Sequence, residues 1–497
     1  MKTAPFALLL VASLALPVAA SGIEKAEAKQ KLEQFMNRAA EEGFTGAVIV
    51  AVGDDVLLER GYGRLDPDEE RPVTASSVFT TGSITKQFTA AAVLELEEMK
   101  KLSVSDPITK YFKNVPADKK SITIHQLLSH TAGFPPAIGD DFERVGRDEY
   151  VGRALASELL FEPGTGYEYS NVGFSLAAAI IEIASGKPYE EFLHEHLFVP
   201  AGMKDTGYHI PAWDPARLAH GVSDDGGDWG TLVDRAFSDG GPGWHLAGNG
   251  GIHSTVGDML RWHRALEGDK ILSAASKKKM YARHADEGGG TWYGYGWSIE
   301  STPWGELITH NGGNPFYFSD FLRYRDHDVV IYYSTTSRDR RMGQLARKLA
   351  RIVFTGEMPE VEPAPEPLIE PGEGPAAPAD SPAAKWGFPG SFQGMRAAEF
   401  LEATIHGDGA ARRALIDSGF GPGIIERNGI DGLMSFFDRL REDIGEEYEV
   451  RGLRPAGDAR IVIVIDRRDR PAPLQLILDL EAEEPHRIVG IGVEVGG

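Results

Sequence analysis

The chain of 497 residues contains no cysteine. That absence excludes disulfides, thiol nucleophiles, cysteine-ligated metal centres and a lipid anchor on an N-terminal cysteine. Basic charge is scarce relative to acidic: 51 Lys and Arg oppose 74 Asp and Glu, a formal net charge of -23. Such a field repels nucleic acid and anionic lipid, so no nucleic-acid partner is expected. Beyond the first residues no apolar run is long enough to span a bilayer. A G-x-S-x-G nucleophile elbow is missing, as is a glycine-rich phosphate loop, which removes the α/β-hydrolase and nucleotide-binding readings.

What the N-terminus does hold is "MKTAPFALLLVASLALPVAASG". Lys2 gives a positive start, residues 6–16 a short apolar run, and Val18-Ala19-Ala20 a small-residue cleavage site. These are the marks of a cleaved signal peptide over residues 1–20. The expectation is a periplasmic or secreted protein without a membrane span.

The length exceeds a comfortable single core, so two folded units are expected. Residues 26–40 carry Leu32, Phe35 and Met36 at helical spacing, and "GAVIVAVGDDVLLERGYG" reads as a β-hairpin. A largely helical stretch from 81 to about 268 precedes strand-like runs "YGYGWSIE", "GELITHNGG", "FSDFLRYR" and "VVIYYSTT", and "MGQLARKLARIVF" closes the unit with a helix. The fold class is mixed, α/β in the α+β sense. An antiparallel sheet is assembled from both ends of residues 24–356, flanked by N- and C-terminal helices, with a large helical insertion between. Residues 357–385 are rich in Pro, Glu and Ala and read as an extended linker. Residues 386–497 read as a small α+β domain, helices first and a strand meander after. In it Leu474, Leu476, Leu478 and Leu480 alternate with more polar neighbours, the pattern of a sheet with one buried face.

The chemistry gathers at three places. In "FTTGSITKQFTAAAVLEL" the apolar residues Ile84, Phe88, Ala92, Leu96 and Met99 share a helical stripe, so a helix begins near Ser83. Ser83 and Lys86, at i and i+3, then meet on its first turn. Serine needs an adjacent base to become a nucleophile, and lysine serves only if burial or positive charge lowers its pKa. The helix N-terminus also offers free amides to a developing oxyanion. The tetrapeptide S-x-x-K arises roughly once by chance in a chain this long. A second copy, Ser276–Lys279, lies in a lysine run that reads as solvated. The second place, Tyr169-Ser170-Asn171, sits between a Pro/Gly turn and an apolar helix. It can present a tyrosine hydroxyl and an amide to a cleft, or cap the helix with a packed Tyr beside it. The third is His310-Asn311-Gly312-Gly313 at the end of a strand, where glycines admit a substrate backbone.

Together these segments resemble the penicillin-recognising serine hydrolases, in particular the class C β-lactamase-like branch with its DD-peptidases, D-aminopeptidases and esterases. "ITIHQLLSHTAGFP", "GTGYEYSNVGFSLAAAIIEIASGKPYEEF", "LFVPAGMKDTGY", "AGNGGIHSTVGDMLRW" and "YGYGWSI" are similar to further segments of that family, in family order, from Phe44 to about Phe354. The resemblance implies that Ser83 is acylated and that Lys86 is its base or proton relay. It implies that Tyr169 shuttles protons to the leaving group and that Asn171 orients Lys86. His310, Asn311 and Gly312 would form the third motif, and the amides of Ser83 and Gly313 the oxyanion hole. It implies a small-molecule or peptide substrate and neither metal nor organic cofactor. One departure stands out: the family's β-lactamases carry K-T-G where His310-Asn311-Gly312 stands here. His310 is expected to be a weaker, pH-dependent cation for a substrate carboxylate, so β-lactam turnover is expected to be poor. Two other readings remain open, a true β-lactamase and a penicillin-binding sensor with little turnover. His194-Glu195-His196 lacks the i,i+4 spacing of a zinc helix and reads as a solvated face. His130 is expected to shape the turn beneath the site. The aromatics of "TWYGYGW" line a cleft or pack a strand. The tail weakly resembles cystatin-like or ketosteroid-isomerase-like rolls, with no catalytic set.

Overall fold

The computed structural model describes residues 24–222, 227–238, 241–336, 344–361, 368–457, 459–468 and 470–495. The expected signal peptide, residues 1–20, lies outside the described residues. The chain divides into two compact units, one ending at residue 362 and one starting at 363.

The first unit is built on an eight-stranded antiparallel sheet drawn from both ends of the unit. Its strands are β1 (Gly46–Val52), β2 (Asp55–Tyr62), β3 (Ala285–Gly288), β4 (Thr291–Tyr293), β5 (Ser298–Thr302), β6 (Gly305–Asn314), β7 (Tyr317–Tyr324) and β8 (Val329–Thr335), in spatial order β2-β1-β8-β7-β6-β5-β4-β3. All seven residues of β1 are buried, because helices cover both faces and a strand so placed must be apolar throughout. One face is covered by α1 (Lys25–Glu41), through Leu32, Phe35 and Met36, and by the last helix of the unit (Leu345–Thr355). The other face carries the helical insertion. At its centre runs α2 (Thr85–Glu98), and beside it α3 (Asn171–Ser185). The stripe expected on α2 widens in the structure: every residue from Thr85 to Leu94 is buried, so this is a central helix surrounded on all sides. That placement removes its first turn from water, which the site depends on.

Described parts of the expected linker are packed rather than extended. Met358 and Val361 pack against the first unit's core. Ile369 exchanges two backbone hydrogen bonds with Leu453, and Ala383 is fully buried in the second unit's core. The Pro/Ala composition did not prevent folding, because residues 368–385 wrap an existing core rather than forming their own. The second unit then follows the expected order, with helices at Phe392–Ile405, Gly409–Gly419 and Pro422–Ile444, followed by a meander of Tyr448–Pro455, Arg460–Arg467, Arg470–Leu480 and Ile488–Val495. The middle helix is capped by the Asp408 side chain. Leu474, Leu476, Leu478 and Leu480 are all buried, as their alternation requires. No described helix is long and apolar enough to cross a membrane.

Candidate active site

The chain enters α2 through a 3-10 turn, Gly82–Ile84, which places Ser83 one turn before the α-helix proper. The Lys86 ammonium donates to Ser83 Oγ at 3.1 Å, to Asn171 Oδ1 at 2.7 Å and to the Asn249 carbonyl at 3.0 Å. Its three donors are thus all taken by neutral acceptors. Lys86 is fully buried, and burial lowers its pKa from 10.5 to about 7, opposed by the carboxylate of Asp141. Tyr169 hydrogen-bonds Ser83, and burial raises its pKa above the usual value of 10. Its ring centroid lies 4.7 Å from Lys86 Nζ. At neutral pH, then, a lysine able to be neutral and a tyrosine that keeps its proton flank one serine oxygen. Asn171 is the first residue of α3, and its amide oxygen fixes Lys86 in place.

Strand β6 brings the third set. It pairs with β5 only as far as Thr309, opposite Ser298, while on its other edge it pairs with β7 through Asn314. Residues 310–314 therefore carry a free edge beside the nucleophile. Backbone meets backbone here: a Cβ on Gly82 would fall 2.5 Å from the Gly313 amide nitrogen. Such contact sets the Ser83 and Gly313 amides at one rim of a cleft of about 470 Å³, which Ser83, Tyr169, His310, Asn311, Gly312 and Gly313 also line.

The beta-lactamase family profile matches residues 28–354. The chain belongs to the beta-lactamase family. It is a serine hydrolase of that family, and the profile covers nearly the whole of its first unit. It is 32% identical over 344 residues to penicillin-binding protein 4* of Bacillus subtilis, covering 65% of this chain and 75% of that protein. It is 27% identical over 321 residues to esterase EstB of Burkholderia gladioli, covering 56% of this chain and 81% of the esterase. Among solved structures, the D-amino acid amidase of Ochrobactrum anthropi SV3 superposes with a TM-score of 0.53 at 25% identity, over 63% of this chain and 91% of the amidase.

Within this beta-lactamase-family site the third motif departs from expectation at two residues. His310 is no cation: burial and the nearby Lys86 charge lower its pKa to about 3. Both ring nitrogens are occupied by protein, since Nδ1 donates to the Asn311 carbonyl and Nε2 accepts from the Tyr293 hydroxyl at 3.1 Å. Gly312 was expected to make room for substrate; its open side is filled instead by the nucleophile turn. A Cβ there would lie 2.2 Å from the Thr81 carbonyl oxygen and 2.4 Å from the Ser83 nitrogen. Asn311 is exposed in the cleft, as a substrate contact requires.

His130 takes a positive φ of 59°, accepts the Ser170 amide at 3.0 Å through Nδ1, and holds its ring 4.3 Å from that of Tyr169. It shapes the turn that presents Tyr169. The second S-x-x-K copy, Ser276–Lys279, separates, because Lys279 reaches Glu97 at 2.7 Å while Ser276 bonds Glu98. Its neighbour Lys277 is not solvated as expected but buried, on the carbonyls of Glu267 and Gly268. His196 stacks on Phe192, and neither it nor His194 joins a metal-type cluster among the described residues. Such a cluster does form from Asp66, His220 and Asp228, but it closes on itself. Arg71 binds Asp66 at 2.8 Å, and His220 and Asp228 pair at 2.9 Å. Three groups that act on the catalytic residues went unassigned in the sequence: the Asn249 carbonyl, Asp141 and Tyr293. Asn249 and Tyr293 sat within recognised segments, whereas Asp141 carried no local signal.

Proposed function

We propose that this chain hydrolyses an amide or ester of an amino acid or short peptide through an acyl-enzyme at Ser83, outside the cytoplasm. The observation that carries the reading is the Lys86 ammonium, dehydrated and 3.1 Å from Ser83 Oγ, with its pKa brought to about 7. Neutral Lys86 takes the Ser83 proton as Oγ attacks the substrate carbonyl. The amides of Ser83 and Gly313 receive the oxyanion. Tyr169, protonated and bonded to Ser83, donates to the departing amine or alkoxide and regains its proton by way of Lys86. Water then attacks the acyl-enzyme, and the same groups return the proton to Ser83 Oγ.

The wall of the cleft favours amino-acid amides and esters over β-lactams. His310 is neutral, and the cleft's one cation among the described lining residues, Arg347, is held by Glu300 through two hydrogen bonds of 2.8 and 2.9 Å. No free cation among those residues awaits a substrate carboxylate. The names of the relatives, an esterase and a D-amino acid amidase among them, support the same class. Export rests on the leader-like first twenty residues.

The test is a panel of short p-nitrophenyl esters, D-alanyl peptides and a chromogenic cephalosporin, run on wild type and Ser83→Ala. Ester or peptide hydrolysis should fall about 10³-fold or more in Ser83→Ala, with cephalosporin turnover far below both in wild type. Hydrolysis that survives Ser83→Ala would sink the nucleophile. Efficient cephalosporin turnover would sink the substrate class.

A further inference from the structure

Tyr293 ends β4 and pairs with Ser298, the first residue of β5, which in turn pairs with Thr309 of β6. One residue further along β6 the neighbouring strand has ended, and the fully buried Tyr293 reaches past it to His310 Nε2 at 3.1 Å. The other ring nitrogen sets the direction of that bond. Nδ1 faces the Asn311 carbonyl, which can only accept, so Nδ1 carries the proton. The ring is neutral, with its pKa lowered to about 3, so Nε2 is bare and the Tyr293 hydroxyl is the donor. Burial keeps that hydroxyl protonated, its pKa raised well above 10. Hydroxyl, imidazole and carbonyl thus form one directed chain, and it ends on the peptide between Asn311 and Gly312.

That peptide is where the strand needs an anchor. Gly312 and Gly313 follow it, and consecutive glycines give a backbone its widest choice of conformations. Gly312 has to be glycine, because the backbone of Thr81 and Ser83 fills the space of a Cβ. The freedom that comes with it falls on the Gly313 amide, one peptide further on and half of the oxyanion hole. β7 pairs with this stretch along one edge, while β5 leaves the other edge unpaired after Thr309. The His310 ring supplies a donor where that strand is missing. An oxyanion amide must stay aimed at the developing charge, and a displacement of about 1 Å costs about 10²-fold in rate. The Tyr293 ring has a separate contact, edge-on to Tyr169 at 6.2 Å and 87°. Ring and hydroxyl therefore support different parts of the site.

Resting on the serine-hydrolase reading above, we propose that Tyr293 is a positioning residue for the oxyanion hole. Its hydroxyl fixes the His310 ring, whose Nδ1–H pins the Asn311 carbonyl and, through it, the aim of the Gly313 amide. His310 in this site is a strut rather than a substrate contact.

The test uses Tyr293→Phe in the full chain, which removes the hydroxyl and keeps the ring against Tyr169. With rates normalised to the sites that acylate, kcat/KM for phenyl, 4-chlorophenyl and p-nitrophenyl acetate should fall about tenfold or more. The factor should be the same for all three, since the oxyanion forms whatever group departs. A loss that grows as the leaving group becomes poorer would assign Tyr293 to the proton donor Tyr169 and overturn the proposal. In a His310→Phe background, Tyr293→Phe should cost less than about twofold more, because the strut is already gone. An undiminished loss there, or an unchanged kcat/KM in Tyr293→Phe alone, would also overturn it. A further readout needs no turnover: 15N NMR of the histidine-labelled chain, with His310 assigned by its loss in His310→Phe. His310 should carry its proton on Nδ1, and its Nε2 signal should move in Tyr293→Phe. A proton on Nε2 sinks the strut even where hydrolysis depends on Ser83, so the two assignments fail separately.

Discussion

Replacing Lys86 by methionine separates the electrostatic cost of the catalytic base from its hydrogen bonds. In the folded chain burial holds the Lys86 pKa at about 7, against 10.5 for an exposed lysine. The unfolded chain therefore binds more protons than the folded chain between about pH 7 and 10.5. Wild type must gain stability as pH rises through that window. Each pH unit between the two values corresponds to about 1.4 kcal/mol, so the buried lysine costs about 5 kcal/mol at pH 6 and about 2 kcal/mol at pH 9. Methionine carries no such cost. It does forfeit the bonds to Ser83, Asn171 and the Asn249 carbonyl, a loss that does not vary with pH. The difference in unfolding free energy, Lys86→Met minus wild type, should thus fall by about 3 kcal/mol between pH 6 and pH 9, whatever its absolute value. Urea denaturation followed by tryptophan fluorescence reads this, because seven of the eight tryptophans lie in the first unit. An equal difference at both pH values would refute a desolvated Lys86, and with it the source of its basicity.

The remaining predictions are shorter. Since Lys86 must be neutral to act, kcat/KM for an ester should rise tenfold per pH unit up to about 7 and then level off; His310, neutral above about pH 3, adds no second acid limb. A limb that moves in His310→Gln would contradict this. Tyr169→Phe should lower kcat by about 10² to 10⁴, measured on an amide whose leaving group needs a proton. Gly312→Ala, which puts a methyl into the Thr81–Ser83 backbone, should lower both stability and kcat, the latter by about 10² as the oxyanion amides shift; a fully active, fully stable variant would show that the turn gives way. A chain truncated after Val361 should stay folded and keep Ser83-dependent hydrolysis, because every cleft residue and a separate core lie in the first unit. Circular dichroism and an ester assay check this.

The catalytic set was legible where its geometry is local. Ser83 and Lys86 meet because i and i+3 adjoin on a helical turn, and Asn171 is presented by the helix that its own segment starts. The sheet was legible through its apolar runs, which β1 and the Leu474–Leu480 alternation carry into the structure intact. What escaped is set by packing across the chain. The protonation state of His310 depends on its burial and on the Lys86 charge, and its Nε2 is taken by Tyr293, seventeen residues away. The reason for Gly312 lies in the backbone of Thr81 and Ser83. Composition misled once: Pro- and Ala-rich residues 368–385 join a core because the strands and helices after them supply one.

The claim on which the rest stands is that Ser83 becomes covalently acylated. Rapid acid quench of the chain with a p-nitrophenyl ester, followed by intact mass and peptide mapping, tests it directly. The account predicts one added acyl group, on the peptide containing Ser83, that is lost in Ser83→Ala and persists longer in Tyr169→Phe. An acyl group mapped to another residue, or one that forms in Ser83→Ala, would contradict it.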